Sequence, residues 1–366
     1  MSAVQYTAEH LLLPQMEALR DHGYEVRAAF AYDPGPISPR LAAFDPVEVR
    51  FPWSPRPLRA GRALARFVAT LRVMRPDLVH LHSPAAALTV RCLPRALLPA
   101  ATRVAYTVHG FPHQWDTSTR RERLLERLER LLAARTDLML FQSQEDLERA
   151  RSSGYRSRLV YLGNGVEDEW FDVPAQPGRR GPLNALFVGR LVREKGLIEL
   201  LDAVESVPDV SLTVAGGQLI SERDGAEAVV RERASRPGLA GRVRVLGSIP
   251  KSRLRKEMAA TDVVVLPSHR EGVPRSLIEG LASGRPAIAT DIRGCRELVD
   301  HGRNGYLVPV RDPGALAAAL RMMRDLTDEE YTELSRRARE GASRAYRERF
   351  VVDRLLRAYA DIGLTT

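Results

Sequence analysis

Residues 263–279 read Val-Val-Val-Leu-Pro-Ser-His-Arg-Glu-Gly-Val-Pro-Arg-Ser-Leu-Ile-Glu. The apolar run 263–266 is typical of a short buried strand, and Pro274 suits the first turn of a helix. A strand that leads through a polar loop into a helix is the repeating unit of a parallel α/β sheet. The loop therefore lies at the carboxyl end of a strand, and it places Glu271 at the edge where such sheets bind ligands.

The same alternation of apolar runs and helical stretches covers most of the chain. In the second half, strands are predicted at 183–188, 210–215, 243–246, 263–266, 287–290 and 306–308. In the first half, they are predicted at 24–30, 77–81, 103–108, 137–141 and 158–162. A chain of 366 residues exceeds what one core usually organises, and a Pro/Gly-rich stretch at 173–182 separates the two series. We predict two Rossmann-like domains, 1–175 and 183–345, and a helix within about 346–366 that packs back on the first.

The start of the first domain departs from this pattern. Residues 8–21 place Leu11, Leu12, Met16 and Leu19 at helical spacing, but no strand precedes them. A doubly wound sheet normally opens with a strand whose following turn lies at the ligand crevice. Either the true start lies upstream or the first strand of this domain is missing.

Composition excludes several classes of protein. Hydrophobic residues make up 44% of the chain and charged residues 28%, as in ordinary globular proteins, and no apolar run approaches the ~18 residues of a membrane span. Cys92 and Cys295 are far apart and belong to no Cys/His cluster, so neither a zinc site nor a disulfide framework is expected. The start lacks the pattern of a signal peptide, and we expect a cytoplasmic protein.

Positive charge is concentrated in the first half. The net charge is +9, and residues 40–135 contain 17 arginines against 7 acidic residues. Residues 119–135 combine a cluster of leucines with arginines elsewhere around a helix, which suits peripheral contact with an anionic membrane. A packed helix with a solvated face is the alternative, because Glu122, Glu126 and Glu129 could pair with the arginines. Nucleic acid is not expected as a partner, because no recognition module is present.

A second loop carries groups that suit a pyrophosphate. Residues 187–197 read Phe-Val-Gly-Arg-Leu-Val-Arg-Glu-Lys-Gly-Leu and connect a predicted strand to a helix. Such a turn offers free backbone N–H groups and allows close approach at Gly189. Arg190 can fork onto phosphate oxygens, and Lys195 supplies a point charge. The alternative is a solvated basic turn.

Glu271 and Glu279 are candidate ligands for a sugar or a ribose. A fixed carboxylate accepts hydrogen bonds from two vicinal hydroxyl groups. Glu271 lies in the loop after the strand, whereas Glu279 lies along the helix among apolar residues. If each residue is considered alone, Glu271 could instead interact with the positive, N-terminal end of the helix dipole, and Glu279 could form an ion pair with an arginine.

Together these motifs resemble the family 4 retaining glycosyltransferases. The resemblance rests on Asn-Gly-Val at 164–166, Gly-Arg at 189–190, Glu-Lys-Gly at 194–196, Ala-Gly-Gly at 215–217 and the stretch 271–297. Glu271 and Glu279 have the spacing of that family's E-x7-E signature. The resemblance implies a GT-B fold, in which two Rossmann-like domains face each other across a cleft.

The resemblance also implies roles for individual residues. Gly189, Arg190 and Lys195 would hold the donor diphosphate, and Ser248 and Ile249 would lie near the nucleobase. The transferred sugar and the ribose would be contacted by Glu271, Gly272, Val273, Pro274 and Glu279. His109, which directly follows the predicted strand 103–108, would face the reacting sugar. No metal or other cofactor is implied, because the basic pair and helix dipoles replace the metal.

The implied reaction moves a hexose or N-acetylhexosamine from a nucleotide sugar, preferentially a UDP-sugar, with retention of configuration. The acceptor would be a glycan or a polyprenyl-linked saccharide in cell-surface polysaccharide synthesis, since the chain most resembles bacterial capsule and exopolysaccharide transferases. A soluble natural-product acceptor is a second possibility. The same fold also suits a nucleotide-sugar 2-epimerase or a degraded, non-catalytic nucleotide-sugar-binding protein, because fold alone does not fix the reaction.

Overall fold

The computed structural model describes residues 1–2, 5–31, 36–49, 57–111, 119–174, 181–217 and 226–365. It divides into unit 1, which comprises residues 1–163 and 351–366, and unit 2, which comprises residues 164–350. The first division lies before the Pro/Gly-rich stretch because Val166, Trp170 and Val173 are buried in the core of unit 2. The units therefore divide at residues 163 and 350, rather than at the predicted 175 and 345.

The strands of unit 1 form two parallel sheets. In its described residues they are β1 (Ala29–Phe30), β2 (Val47–Glu48), β3 (Leu78–Leu81), β4 (Arg103–Val108), β5 (Leu138–Phe141) and β6 (Arg158–Tyr161). β1 pairs with β2, and a four-stranded sheet runs in the order β3-β4-β5-β6. The predicted strand 24–30 is thus reduced to two residues, because β1 pairs with β2 over only two residues.

Helices cover the sheet of unit 1. They are α1 (Gln5–Thr7), which continues through a π-helical turn (Ala8–Leu12) into α2 (Leu13–Asp21), then α3 (Pro39–Ala42), α4 (Pro57–Met74), α5 (Pro84–Arg91), α6 (Arg120–Ala133) and α7 (Gln144–Ser152). A 3₁₀ turn (Arg95–Leu97) follows α5. Ser83, Thr119 and Ser143 cap α5, α6 and α7 through their hydroxyl groups. Such caps satisfy backbone donors that a helix start leaves unpaired.

Met1 and Ser2 lie between the two sheets of unit 1. The Ser2 N–H donates to the Ala29 carbonyl over 2.9 Å, and the Met1 carbonyl accepts from the His82 N–H over 2.9 Å. This segment therefore bonds to β1 on one side and to the residue that follows β3 on the other. The Met1 ammonium donates to the His80 carbonyl, and burial lowers its pKa to about 5.

Unit 2 contains a six-stranded parallel sheet. Its strands are β7 (Leu183–Val188), β8 (Val210–Ala215), β9 (Val243–Gly247), β10 (Val263–Leu266), β11 (Ala287–Thr290) and β12 (Gly305–Val308). They run in the order β12-β11-β10-β7-β8-β9. The chain order reverses between β7 and β10, so the loops after these two strands flank the switch point where open α/β sheets bind ligands.

The helices of unit 2 are α8 (Leu197–Ser206), α9 (Ala226–Ala234), α10 (Lys251–Ala259), α11 (Arg275–Ala282), α12 (Arg293–Arg296), α13 (Pro313–Arg324) and α14 (Asp328–Ala345). The described residues of unit 2 also form two 3₁₀ turns, Asp168–Trp170 and Arg193–Lys195. α14 begins with a capping box formed by Thr327 and Glu330. Over the described part of the chain, no helix has both the length and the apolarity to cross a bilayer.

The chain returns to unit 1 through α15 (Glu348–Ala360). Val351, Leu355 and Tyr359 of this helix are buried against Ala105 and Leu138 of the unit 1 sheet. The Arg354 guanidinium also donates to the Leu162 carbonyl over 2.7 Å. The last helix is therefore part of the core of unit 1.

Candidate functional site

The loops after β7 and β10 touch each other at the switch point of unit 2. The His269 N–H donates to the Glu194 carbonyl over 2.8 Å. Gly196 has a φ of +69°, and a Cβ there would lie 2.0 Å from the Pro267 carbonyl oxygen. A side chain at Gly196 would therefore be strained and would also push the two loops apart.

Lys195 and Glu271 form an ion pair across these two loops. The Lys195 Nζ lies 2.5 Å from the Glu271 Oε1, and the two side chains are 15% and 11% exposed. The Ser268 hydroxyl donates to the same Oε1 over 2.7 Å. Two hydrogen bonds to one oxygen fix the orientation of the carboxylate, so a cation and a carboxylate lie side by side at the sheet edge.

The backbone of the β7 loop is hydrogen-bonded within the protein. The Gly189 N–H donates to the Ala215 carbonyl over 3.0 Å, and the Leu191 N–H donates to the Gly217 carbonyl over 3.1 Å. The expectation that this turn offers free N–H groups is therefore wrong at these two residues, because the turn extends the bonding between β7 and β8. The cationic side chains of this loop are the half-buried Arg190 and Lys195 and the exposed Arg193.

Ser248 and Ile249 follow β9 beside the same turn. The Gly216 N–H donates to the Gly247 carbonyl over 2.9 Å, which joins the turn after β8 to the residue before Ser248. Ile249 is half-buried and packs against the core of unit 2. The structure thus brings the predicted base-proximal pair next to the loop of Gly189.

Residues 272–274 are held by their backbone. The Val273 carbonyl accepts from the Asn164 side chain over 2.8 Å, and the Val273 side chain is buried. A Cβ at Gly294 would lie 1.3 Å from the Gly272 carbonyl oxygen, so the start of α12 lies directly against this loop. Pro274 is the N-cap residue of α11. With its side chain buried, Val273 can offer a ligand only its backbone.

Glu279 and Glu167 are two neighbouring carboxylates with opposite electrostatic environments. Burial raises the pKa of Glu279 to about 7, although Arg275 and Lys251 lower it. Burial alone would raise the pKa of Glu167, but Arg275 and Lys251 hold it at about 2. Both cations bond to Glu167, with 2.9 Å between the Arg275 Nη2 and the Glu167 Oε2. At neutral pH, Glu167 is therefore charged, and Glu279 is divided between its neutral and charged forms.

In unit 1, His109 directly follows β4 and lies next to a second histidine. The His109 Nε2 lies 3.3 Å from the His82 Nδ1, and His82 directly follows β3. His80, two residues before His82, bonds to Thr107 over 2.7 Å and to Tyr359 over 2.6 Å. Burial lowers the pKa of all three histidines, that of His109 to about 4. Both rings of the His82–His109 pair are therefore neutral near pH 7, and one donates to the other.

Comparison with known proteins identifies the family. Residues 182–325 match the model of the glycosyl transferases group 1, and residues 8–165 match the model of the glycosyl transferase 4-like domain. A phosphatidyl-myo-inositol mannosyltransferase of Mycolicibacterium smegmatis is 30% identical over 84% of this chain and 78% of its own. The chain belongs to the group 1 glycosyltransferases. The resemblance to family 4 is thereby confirmed.

Two further matches support the family and the fold of this glycosyltransferase. EpsD of Bacillus subtilis (strain 168), whose name places it among the glycosyltransferases, is 28% identical over 88% of this chain and 86% of its own. The solved structure of HepE from Anabaena, in complex with UDP and glucose, superposes with a TM-score of 0.75 and 21% identity over 96% of this chain and 95% of that one. The expected GT-B fold is confirmed.

Three charged residues beside the candidate site were missed from sequence. Glu167, Lys251 and Arg275 form the network beside Glu279, and Arg275 also lies 3.4 Å from Glu348. The sequence left open that Glu279 pairs with an arginine, but its near neighbour Arg275 bonds to Glu167 and Glu348 instead. Only the tertiary fold brings positions 167 and 275 together, so no spacing rule could have found the network. His82 was also missed, although histidines two residues apart at the end of a strand were a visible signal.

The structure brings the predicted donor-site residues together in unit 2 and places His109 in unit 1. Among the residues that the structure describes, no group of three or more His, Cys, Asp or Glu side chains is arranged to hold a metal ion.

Proposed function

We propose that this glycosyltransferase moves a hexose or N-acetylhexosamine from a UDP-sugar to a glycan or lipid-linked saccharide, with retention and without a metal ion. The observation that carries the proposal is the Lys195–Glu271 pair at the switch point of unit 2. A cation for the diphosphate stands there beside a carboxylate for sugar hydroxyl groups. The UDP and glucose in the HepE structure support a UDP-sugar as the donor.

The residues of the site have separate tasks in this reaction. Lys195 and Arg190 bind the diphosphate and stabilise the charge that develops as the nucleoside diphosphate leaves. Glu271 accepts hydrogen bonds from the transferred sugar, and Glu279 accepts them from the ribose. When the diphosphate binds, Lys195 exchanges part of its contact with Glu271 for phosphate oxygens, which leaves the carboxylate more open to the sugar.

Retention follows if the acceptor hydroxyl attacks from the face that the diphosphate leaves. The leaving phosphate takes the proton of the acceptor hydroxyl, so no separate carboxylate base is needed. His109 is neutral and can share a hydrogen bond with the sugar without adding a charge. Orientation of the two substrates and charge stabilisation then supply the rate enhancement.

The acceptor is proposed from the likeness to capsule and exopolysaccharide transferases. The mannosyltransferase relative carries a lipid, phosphatidyl-myo-inositol, in its name, which supports a lipid-linked acceptor. A protein that uses such an acceptor must reach a membrane surface from the cytoplasm. A soluble natural-product acceptor is the second candidate.

The test is release of nucleoside diphosphate from a panel of UDP- and GDP-sugars, in the presence of EDTA and a lipid extract from the native source. Wild type is compared with Glu271→Gln and with Glu333→Gln, a matched change of an exposed glutamate on α14. We expect release by wild type and Glu333→Gln only, and an anomeric configuration of the product equal to that of the donor.

Different outcomes would contradict separate parts of the proposal. A new sugar epimer without diphosphate release would identify a nucleotide-sugar epimerase. Nucleotide binding without turnover of any donor would favour a non-catalytic binding protein. Release that EDTA abolishes and Mg²⁺ restores would refute metal independence, and an inverted product would refute retention.

A further inference from the structure

Helix α6 carries two exposed leucines among arginines. Leu124 and Leu131 are 66% and 69% exposed. They are seven positions apart, so they lie on one side of the helix, roughly 10 Å apart along its axis. Arg120 and Arg127 each precede one of the leucines by four residues and are also exposed. These four residues are called the basic leucine face.

The opposite side of α6 is fixed to the core of unit 1. Glu129 is buried and accepts two hydrogen bonds from Arg91, over 3.0 and 2.8 Å. The Arg91 guanidinium lies 4.4 Å from the centre of the Tyr106 ring. A buried carboxylate is costly unless it stays paired, so this contact sets the rotation of the helix. The basic leucine face must therefore point away from the core.

The glutamates of α6 are directed away from the basic leucine face. Glu122 accepts from the Thr119 hydroxyl over 2.7 Å at the start of the helix. Glu129 forms an ion pair with Arg91. Glu126 is half-buried, whereas Arg120 and Arg127 are exposed. These glutamates are therefore not placed to neutralise the arginines of the basic leucine face.

The combination of charge and apolar area identifies the partner. Scattered exposed leucines are ordinary on protein surfaces, and arginines alone would attract any polyanion. An anionic bilayer uses both, because its headgroups carry phosphate and its acyl region begins a few ångströms below. A second copy of the chain is disfavoured, because two such faces would bring arginines against arginines.

We propose that the basic leucine face docks on an anionic lipid bilayer. Leu124 and Leu131 enter the headgroup boundary, while Arg120 and Arg127 bond to lipid phosphates. This inference goes beyond the proposed function, because binding requires neither donor nor acceptor. If transfer fails but the protein binds vesicles, only the proposed function is lost.

The test is co-sedimentation of the full chain with vesicles of phosphatidylcholine alone or mixed with phosphatidylglycerol, at about 0.1 M salt, where the Debye length is close to 10 Å. We compare wild type with Arg120→Gln/Arg127→Gln and with Leu124→Ser/Leu131→Ser. The matched controls in unit 2 are Arg236→Gln/Arg253→Gln and Met322→Ser, which change exposed side chains of the same kinds. Thermal melting of each variant verifies that it is folded.

We expect wild type to bind only the vesicles that contain phosphatidylglycerol. Each arginine near an anionic surface contributes roughly fivefold, so the double arginine variant should bind about 25-fold more weakly. The leucine variant should also lose at least about fivefold, and both controls should bind like wild type.

Several results would overturn the proposal. They are equal binding to both kinds of vesicle, no binding to either, or unchanged binding of either double variant. Loss of vesicle binding in the arginine variant alone would show that the face adsorbs to any polyanion and does not insert its leucines into a bilayer. Light scattering that finds a wild-type dimer and a monomeric Leu124→Ser/Leu131→Ser variant would assign the face to a second copy of the chain.

Discussion

Donor affinity should increase as the pH rises from 6 to 8, because Glu279 must lose its proton to bind a ribose. Burial raises the pKa of this carboxyl to about 7 in the unliganded protein. Ribose hydroxyl groups donate to a carboxylate and therefore favour its charged form. Below pH 7, binding has to include the free energy of removing the proton.

The size of the effect follows from the pKa. At pH 6 about one molecule in eleven has Glu279 charged, whereas at pH 8 about ten in eleven do. If bound donor returns the pKa to its ordinary range, the dissociation constant should be about tenfold higher at pH 6 than at pH 8. At pH 7, binding should release about half a proton per donor.

Isothermal titration calorimetry measures both quantities. UDP-glucose is titrated into the protein with EDTA at pH 6, 7 and 8, in two buffers of different ionisation enthalpy. UDP-glucose suits this purpose because its diphosphate does not titrate in this range. Glu279→Gln is the control, since its amide keeps hydrogen-bonding capacity but cannot release a proton.

The reasoning fails if the wild-type dissociation constant changes by less than about twofold between pH 6 and pH 8, or if Glu279→Gln shows the same change. In the first case Glu279 does not bind the donor as a carboxylate. In the second case another group carries the pH dependence.

Four further changes have defined effects. Glu279→Gln should stabilise the protein by about 3 kcal/mol at pH 8 and little at pH 5, because a raised pKa means stability that is lost as the pH rises through 7. Lys195→Met should lower turnover about 100-fold, by loss of the charge at the diphosphate. His82→Phe should lower turnover roughly fivefold with unchanged donor affinity, since His109 loses a hydrogen bond worth about 1 kcal/mol. Leu355→Ala should destabilise unit 1 by about 3 kcal/mol.

Urea unfolding and diphosphate release check these predictions. A Glu279→Gln effect that is equal at both pH values would show that the buried carboxyl does not titrate as stated. If Lys195→Met raises only the donor KM, the lysine binds ground and transition states equally. His82→Asn should restore part of the lost turnover, and failure to do so would leave only a packing role. Asp353→Ala, at an exposed position of α15, is the control for Leu355→Ala and should have little effect.

The sequence allowed good prediction of unit 2 because its parallel strands are rich in buried apolar residues. The predicted limits of β7, β8, β10 and β11 are those observed. Loops at the carboxyl ends of β7 and β10 must then lie together, so the proximity of Lys195 and Glu271 was foreseeable. Their direct ion pair depends on side-chain geometry that strand limits do not specify.

Several features depend instead on contacts between distant parts of the chain. The strand predicted at 24–30 survives only as β1, since a strand persists only where it finds neighbours to bond with. The pairing of Arg275 with Glu167 joins residues 108 positions apart and follows no periodicity. The pKa of Glu279 depends on this pairing, because Arg275 and Lys251, the two cations that lower that pKa, bond to the Glu167 carboxylate. Such effects require the tertiary structure.

The return of α15 to unit 1 has a consequence for the order in which the protein can fold during synthesis. Unit 2 is one continuous segment, residues 164–350, and can close its core when its last strand and helices leave the ribosome. Unit 1 is translated first, yet Val351, Leu355 and Tyr359 complete part of its core only after unit 2 has been synthesised. The later half of the chain can thus be finished before the earlier half. Until α15 has been synthesised, the apolar surface around Ala105 and Leu138 remains exposed. Chaperones can bind it during this interval.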